Sequence, residues 1–458
     1  MTQHTATTLP AAASAPTGKL ATRPAPSAIA AMTMAEGIRA LDNGTLTSEK
    51  WVAGCLERIE TRNPEVKAWV HVAADAALMH ARQCDKQGRK GLFDGVPLGL
   101  KDTIDTADMP TELGDPEIFP GRQPAIDAPV VTQARKLGFA LLGKNTVSRH
   151  AIMLPGPCRN PHDTRRTPAA SSAGSAAAVA DFMTPISIGT QTAGSILRPA
   201  SFCGAVGFKP TLDLIPYVGI RTYSRPLDVV GPLTRSVEDA QLFMYGFVRD
   251  PRFKPSAIDT ARRRRLGVWR PHGWEDADAD AIHAFEHSLN RLAQAGAVLT
   301  DLRMPASYEK IGQIQDVIMA YDLAREYADI RRKHAAMCDP ELLAYLELGA
   351  GYSDDDYIEA LDAADACRRQ FYDVAHDIDA IVMPATLGEA PDISTTGSSI
   401  FIRPWSLLHN PSISLPVARS SNGLPLAVQM VGLIKEDAAL LNQAAWAERI
   451  LGNCAHDI

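Results

Sequence analysis

Residues 167–211 read TPAASSAGSAAAVADFMTPISIGTQTAGSILRPASFCGAVGFKPT. Two serines here, Ser171 and Ser195, sit in turns rich in glycine and alanine that flank a short apolar run. Turns of small residues let a reacting carbonyl approach main-chain N–H groups closely. A hydroxyl presented there can attack while those donors hold the developing oxyanion. Upstream, in GVPLGLKDTID, the apolar run Val96 to Leu100 reads as a buried strand that ends on Lys101.

Outward from this core, apolar strands (VPLGL, FALLGKN, PISIGT and AVGFKP) alternate with helical segments at Pro129 to Leu137 and Ser175 to Phe182. That alternation indicates a layered α/β body. Met32 to Leu41 and Ser48 to Thr61 have amphipathic spacing, with Thr47 or Ser48 as the N-cap of the second. Residues 1–30, rich in Ala, Thr and Pro, read as a mobile tail, partly docked on the body. Residues 31–458 form one domain, and the long helical stretches Ser307 to His334 and Asp354 to His376 read as an insertion over about 307–378, packed over the site. No internal repeat is visible.

Composition narrows the function. The chain has 458 residues, is 46% hydrophobic and carries a formal charge of -7, so it can bury a large core and has no basic excess to attract nucleic acid. Seven scattered cysteines argue against a disulfide framework and for a reducing compartment. No apolar run approaches a membrane span, and no continuous hydrophobic segment suggests a secretory signal, so the expected location is the cytoplasm.

Rival motifs read as structure. Gly138 to Asn145 nearly spells a phosphate-binding loop, but Asn145 replaces the required Ser/Thr and FALL reads as a strand core. His283-Ala-Phe-Glu-His287 matches an inverted zinc-protease pattern, yet the apolar stripe Ile282, Phe285, Leu289 and Leu292 places both histidines on nearly the opposite side of the helix, toward solvent. No metal is expected. Cys203, in apolar company without a histidine, reads as an inert buried thiol. The Arg262 to Arg265 run reads as a solvated linker, and Asn43-Gly-Thr45 as a turn.

Four ordered motifs resemble the amidase signature family of Ser-Ser-Lys amidohydrolases. They are Ala169-Ala-Ser-Ser-Ala-Gly-Ser175, Gly189-Thr-Gln-Thr-Ala-Gly-Ser195, Phe202 to Thr211 and Gly95 to Asp102. Further similarity in RNPHDTRRTP, PLDVVGPLTRSVEDA, AIVMPAT and LPLAVQMVG extends it from roughly residue 33 to the C-terminus. Ala169, Ala170, Ala173 and Ala193 stand where the family usually has glycine, and Gln191 where it usually has Asp. The resemblance implies a single layered α/β/α domain with one large mixed β-sheet covered by helices on both faces. It implies Ser195 as nucleophile, Ser171 as the bridging serine after a cis peptide and Lys101 as the base. The backbone N–H groups of Thr192, Ala193, Gly194 and Ser195 would form the oxyanion hole, with Ser172 and Ser175 supporting the turn.

Chemistry agrees with this division. A lysine of ordinary pKa near 10.4 is neutral less than about 0.1% of the time at pH 7, so it serves as a base only where burial lowers that value. Such a lysine can take a proton relayed from Ser195 through Ser171 and return it to the leaving amine. Asp102 follows Lys101, but neighbouring side chains of a strand point to opposite faces, so Asp102 reads as structural. Arg198 faces either the substrate or a structural carboxylate, with the structural reading preferred.

The implied activity is cofactor-free hydrolysis of a C–N bond in a small amide, anilide or carbamate, and of esters as well, through an acyl-enzyme on Ser195. The implied partner is that small molecule alone, with no nucleic acid or membrane, acting on a monomer or homodimer. The glutamine-hydrolysing A subunit of a tRNA-dependent amidotransferase is the alternative within the fold, and a catalytically silent scaffold the alternative outside it. Pocket walls are expected from Thr106 to Ile126, Leu154 to Arg159, Ile318 to Tyr327 and Ser398 to His409. Met153, Leu154, Ile318, Met319 and Trp405 would make an apolar pocket, or else belong to the core.

Overall fold

The computed structural model describes residues 23–452. Eleven strands form one mixed sheet: β1 (Trp69–Val72), β2 (Pro97–Lys101), β3 (Ala140–Asn145), β4 (Ile186–Gln191), β5 (Val206–Lys209), β6 (Val229–Thr234), β7 (Arg265–Val268), β8 (Val298–Asp301), β9 (Ala380–Pro384), β10 (Ser412–Arg419) and β11 (Pro425–Val431). Their order across the sheet is β1-β3-β2-β4-β6-β5-β10-β11-β9-β7-β8. β2 runs parallel to both β3 and β4, whereas β4, β6, β5, β10, β11 and β9 pair antiparallel in turn. Every residue of β2, β3, β4, β5, β6 and β9 is buried. Strands buried along their whole length need cover on both faces of the sheet, which explains why they read as continuous apolar runs instead of alternating ones.

Helices supply that cover. Ala173–Ala180 and Leu197–Cys203 pack on each other, the first against β4 and the second against β5 and β10. Val237–Val248 and Ala279–Gln294 pack on opposite neighbours through Asp437–Leu451, which touches both as well as β10 and β11. Ala173–Ala180 is buried at every position, and a Cβ on Gly174 would fall 2.4 Å from the Ala68 carbonyl oxygen and the Thr146 nitrogen. Glycine is what allows this helix to start directly against the backbone after β3.

The early helices follow their end signals. Met34–Asp42 opens on a capping box between Thr33 and Glu36, and Ser48–Val66 is capped by Thr47 and runs five residues beyond the expected end at Thr61. The expected stretch Ser307 to His334 is broken into Ala306–Lys310, Ile311–Glu326 and Ala328–Lys333. Pro340–Gly351 adds a helix that the sequence pattern does not announce. A Cβ on Gly349 would meet the Ala320 carbonyl oxygen at 1.8 Å, so a residue that weakens a helix on its own is here what lets two helices touch. Strands on either side of this helical segment, β8 before it and β9 after it, each pair with β7. No helix among the described residues is long and apolar enough to cross a membrane.

Residues 1–22 of the expected tail lie outside the described residues, and residues 23–30 pack on the body. Ala28–Ala31 is helical, and Arg23 joins a buried ion cluster. In that cluster the Asp181 carboxylate takes Arg58 Nη2 at 2.6 Å, Arg62 Nε at 2.8 Å and Arg23 Nη1 at 3.5 Å. Asp181 ends the helix Ala173–Ala180, so the cluster ties the N-terminal helices to the serine-bearing turn. Replacing one partner of a buried pair strands the others without compensation. Asp181→Ala is expected to lower unfolding free energy by about 3–5 kcal/mol, read from equilibrium denaturation with urea.

Candidate functional site

The parallel neighbours β2 and β4 end together, and their last residues build the site. Lys101 Nζ donates to Ser171 Oγ and to Thr190 Oγ1, both at 2.7 Å, with the Thr190 carbonyl oxygen at 3.4 Å. Lys101 is 1% exposed. Burial lowers its pKa to about 7, opposed by the negative charge of Asp228. An ammonium stripped of water is penalised, and hydroxyls in place of a carboxylate do not restore it.

Ser171 follows a cis peptide bond, Ala170-Ser171. Arg198 Nη2 donates to the Ala170 carbonyl at 3.0 Å, and the Ser171 carbonyl accepts from the Ser148 N–H at 3.2 Å. The bridging serine is thus held from both sides. Ser172 Oγ donates to the Thr190 carbonyl at 3.0 Å and accepts from the Thr190 N–H at 3.3 Å, while the Ser172 N–H donates to the Ser195 carbonyl at 3.3 Å. These bonds lock the two serine turns to each other across β4. Of the four residues usually glycine in such turns, only Ala169 takes a positive φ, at 68°.

The second turn, residues 192–195, keeps its donors free. The N–H groups of Ala193, Gly194 and Ser195 donate to no acceptor among the described residues. The next two N–H groups, of Ile196 and Leu197, go to Gln191 Oε1 at 2.9 and 3.1 Å. Gln191 Nε2 donates to Ser406 Oγ at 3.1 Å, so this buried amide is spent on structure. Three adjacent unpaired N–H groups beside a hydroxyl are an anion-binding concavity. Ser195 is only partly buried, and its hydroxyl makes no hydrogen bond to another described residue. The expected Ser195–Ser171 relay is therefore not a formed bond here, as is common before a substrate tightens the geometry. A Cβ on Gly194 would lie 2.9 Å from Ser399 Cβ, so the segment around Ser399 roofs the turn.

Three neighbours are not singled out by the sequence. Thr190 is the second hydroxyl on the lysine. Asp228 accepts from the Thr192 hydroxyl and from the N–H groups of Tyr223 (2.7 Å) and Ser224 (3.0 Å), and burial raises its pKa to about 7. Gln315 Nε2 donates to the Thr192 carbonyl at 3.4 Å. The available signal for Asp228 is its place in PLDVVGPLT, which does not reveal that it faces the lysine.

Among the described residues Arg198 meets no carboxylate, the structural partner considered for it. Its guanidinium serves the carbonyls of Ala170 and Gly397, because the chain there turns oxygen atoms inward. Asp102 points away from Lys101 and lies 4.0 Å from Lys144 Nζ. Burial raises the one and lowers the other. Lys144 belongs to β3, not to a phosphate loop. His283 and His287 are exposed, and no group of three metal-binding side chains occurs among the described residues. Burial raises the Cys203 thiol well above its ordinary range. Arg264, expected in a solvated linker, is instead buried over the Trp446 ring.

The five apolar pocket candidates do not share one wall. Ile318, Met319 and Trp405 are buried in a cluster that includes Ala193. Leu154 packs with Ile152 and Tyr327 in another, and Met153 is half exposed. A cavity of about 360 Å³ is lined by Asp102, Glu112, Asp115 and Pro155 among others, from two of the expected wall segments. None of Ser171, Ser195 and Lys101 lines it.

A family model described as amidase matches residues 50–441. The A subunit of a glutamyl-tRNA(Gln) amidotransferase from Anaeromyxobacter sp. (strain K) is 32% identical, covering 89% of this chain and 94% of that protein. A crystal structure of an amidase superposes with a TM-score of 0.84 at 28% identity, covering 92% of this chain and 100% of that one. The native peptide amidase from Stenotrophomonas maltophilia superposes at 0.79 with 27% identity, covering 92% and 97%.

The electrostatics can be tested without any substrate. Lys101 Nζ is expected to titrate near pH 7 by heteronuclear NMR. Because the Asp228 charge favours the ammonium, Asp228→Asn should move that titration to lower pH, and a shift upward would contradict the assignment.

Proposed function

The chain belongs to the amidase family, hydrolases of carbon–nitrogen bonds other than peptide bonds, and from that premise we propose that it cleaves a small amide, anilide or carbamate through an acyl-enzyme on Ser195. The observation that carries this reading is the buried Lys101 amine, with its pKa near 7, in hydrogen bond with Ser171 Oγ beside the open N–H groups of the second turn.

In the proposed reaction Ser195 Oγ attacks the carbonyl carbon. Its proton passes to Ser171 Oγ as the Ser171 proton passes to neutral Lys101 Nζ. The carbonyl oxygen becomes an anion held by the N–H groups of residues 192–195. Collapse breaks the C–N bond, and Lys101 returns its proton through Ser171 to the departing nitrogen. Water then attacks the acyl ester over the same relay, releasing the acid and restoring Ser195. The apolar cluster around Ala193 suits a hydrophobic substituent next to this turn.

A second reading is supported by the 32% identical amidotransferase relative: hydrolysis of the glutamine amide as part of a larger assembly. A panel on the purified chain separates the two. Under the first reading, kcat/KM for at least one small amide other than glutamine, anilide or carbamate exceeds that for glutamine by about tenfold or more. Preference for glutamine would favour the second.

Ser195→Ala is expected to reduce amide turnover by about a thousandfold or more while leaving the melting curve intact. Retained activity would move the nucleophile elsewhere. Since the base acts neutral, kcat/KM should rise with pH through about 7 and then level off. Lys101→Ala should remove that limb and depress amide hydrolysis more than ester hydrolysis, because an alkoxide leaves with less need of a proton than an amine. An unchanged ester-to-amide ratio together with an unchanged pH profile would leave Lys101 merely structural.

A further inference from the structure

Arg221 lies on the connection between β5 and β6, and that connection is tied to the site on both sides. Its N–H donates to the carbonyl of Thr103, two residues beyond Lys101, at 3.0 Å. Tyr217 Oη donates to the Arg221 carbonyl at 3.2 Å. On the other side, Tyr223 and Ser224 hold Asp228, which in turn takes the Thr192 hydroxyl.

The side chain stacks on aromatic rings and has no carboxylate partner among the described residues. Its guanidinium carbon stands 4.1 Å from the centroid of the Tyr327 ring and 5.9 Å from that of Phe119. Nη2 is buried and donates to nothing, and no carboxylate pairs with it among the described residues. The Tyr327 hydroxyl beside it donates to the His150 carbonyl at 2.9 Å and interacts through its oxygen with the Arg221 guanidinium. Arg198 and Arg264 each leave a buried Nε without a partner as well, but both also reach carbonyls, Arg198 those of Ala170 and Gly397 and Arg264 those of Arg262 and Asp259.

A guanidinium stacked on an aromatic face, with its Nη2 stripped of water and left without an acceptor, suits a planar carboxylate bound edge-on. Phe119 and Tyr327 also come from two of the segments expected to wall the substrate pocket, and Leu154, from a third, packs in the same cluster as Tyr327. We propose that Arg221 determines specificity by pairing with a carboxylate on the acyl chain of the substrate, which places amides of the dicarboxylic monoamide type among the preferred substrates. This rests on the amide-hydrolysing reading of the same site.

The test compares succinamate with its neutral isostere 4-oxopentanamide. Wild-type kcat/KM should favour succinamate by about tenfold or more. Arg221→Gln should abolish that preference, and Arg221→Lys, which keeps the cation without the fork, should retain part of it. In parallel, succinamate binding to Ser195→Ala is measured by calorimetry with and without Arg221→Gln, and should weaken by about tenfold. Equal turnover of the two amides by the wild type, or a preference that survives Arg221→Gln, would overturn the proposal. Turnover of an anilide or carbamate with none of succinamate would also overturn the proposal; should the wild type hydrolyse no amide, anilide or carbamate, the enzymatic reading is what fails, and the binding pair still decides: equal affinities reject the role of Arg221, and weaker binding without the guanidinium supports it.

Discussion

The desolvation of one amine governs how this molecule is built. Lys101 ends a strand whose every residue is buried, so its Nζ meets no bulk water, and the atoms within hydrogen-bond reach are the hydroxyls of Ser171 and Thr190 and a carbonyl oxygen. A carboxylate in direct contact would hold the lysine charged. Asp228, the nearest acidic influence, is instead occupied by Thr192 and two backbone N–H groups, and burial raises its own pKa. Burial thus penalises the charged form of both groups, and each charge partly favours the other. The mixed sheet is what makes this possible, because covering both of its faces takes the end of β2 out of water while parallel pairing with β4 delivers Thr190 to it.

Around that amine, polar groups divide into those that are spent and those that are open. Ser172, Gln191 and Arg198 use their hydrogen-bonding capacity on backbone atoms of the two turns or of the chain beside them. The Ser195 hydroxyl and the N–H groups of residues 193–195 keep theirs. Rigidity in the first set lets the second remain unsatisfied, since an unpaired buried donor persists only where the surrounding structure prevents it from finding a partner.

The side facing a substrate is assembled differently. Ala193 of the second turn is covered by Ile318, Met319, Phe401 and Trp405, and Gln315 reaches the Thr192 carbonyl, all from segments late in the chain. Arg221 and Tyr327 come together from two further segments. These contacts come from segments separate from the strands that carry Lys101 and Thr190.

Residues 167–211 and the strand ending at Lys101 could be read directly, because small-residue turns and fully apolar strands are local properties of the chain. The alternation of such strands with helices was enough for a layered α/β body, and the opposite facing of Asp102 followed from strand geometry alone. Other features depended on which strands become neighbours. Thr190 meets the lysine, and the Asp228 charge comes near enough to influence it, only through the β2–β4–β6 pairing, and Arg198 finds carbonyl oxygens where its sequence context suggested a carboxylate. Ile318 and Trp405 could be core or pocket wall, since an apolar side chain looks the same in either place until its packing is known. The helix Pro340–Gly351 is hidden by the very glycine that lets it approach Ala320. Short-range backbone preference is written in the sequence, whereas partners brought together from distant segments are decided by tertiary packing, because the free energy that selects them comes from burial shared among residues far apart in the chain.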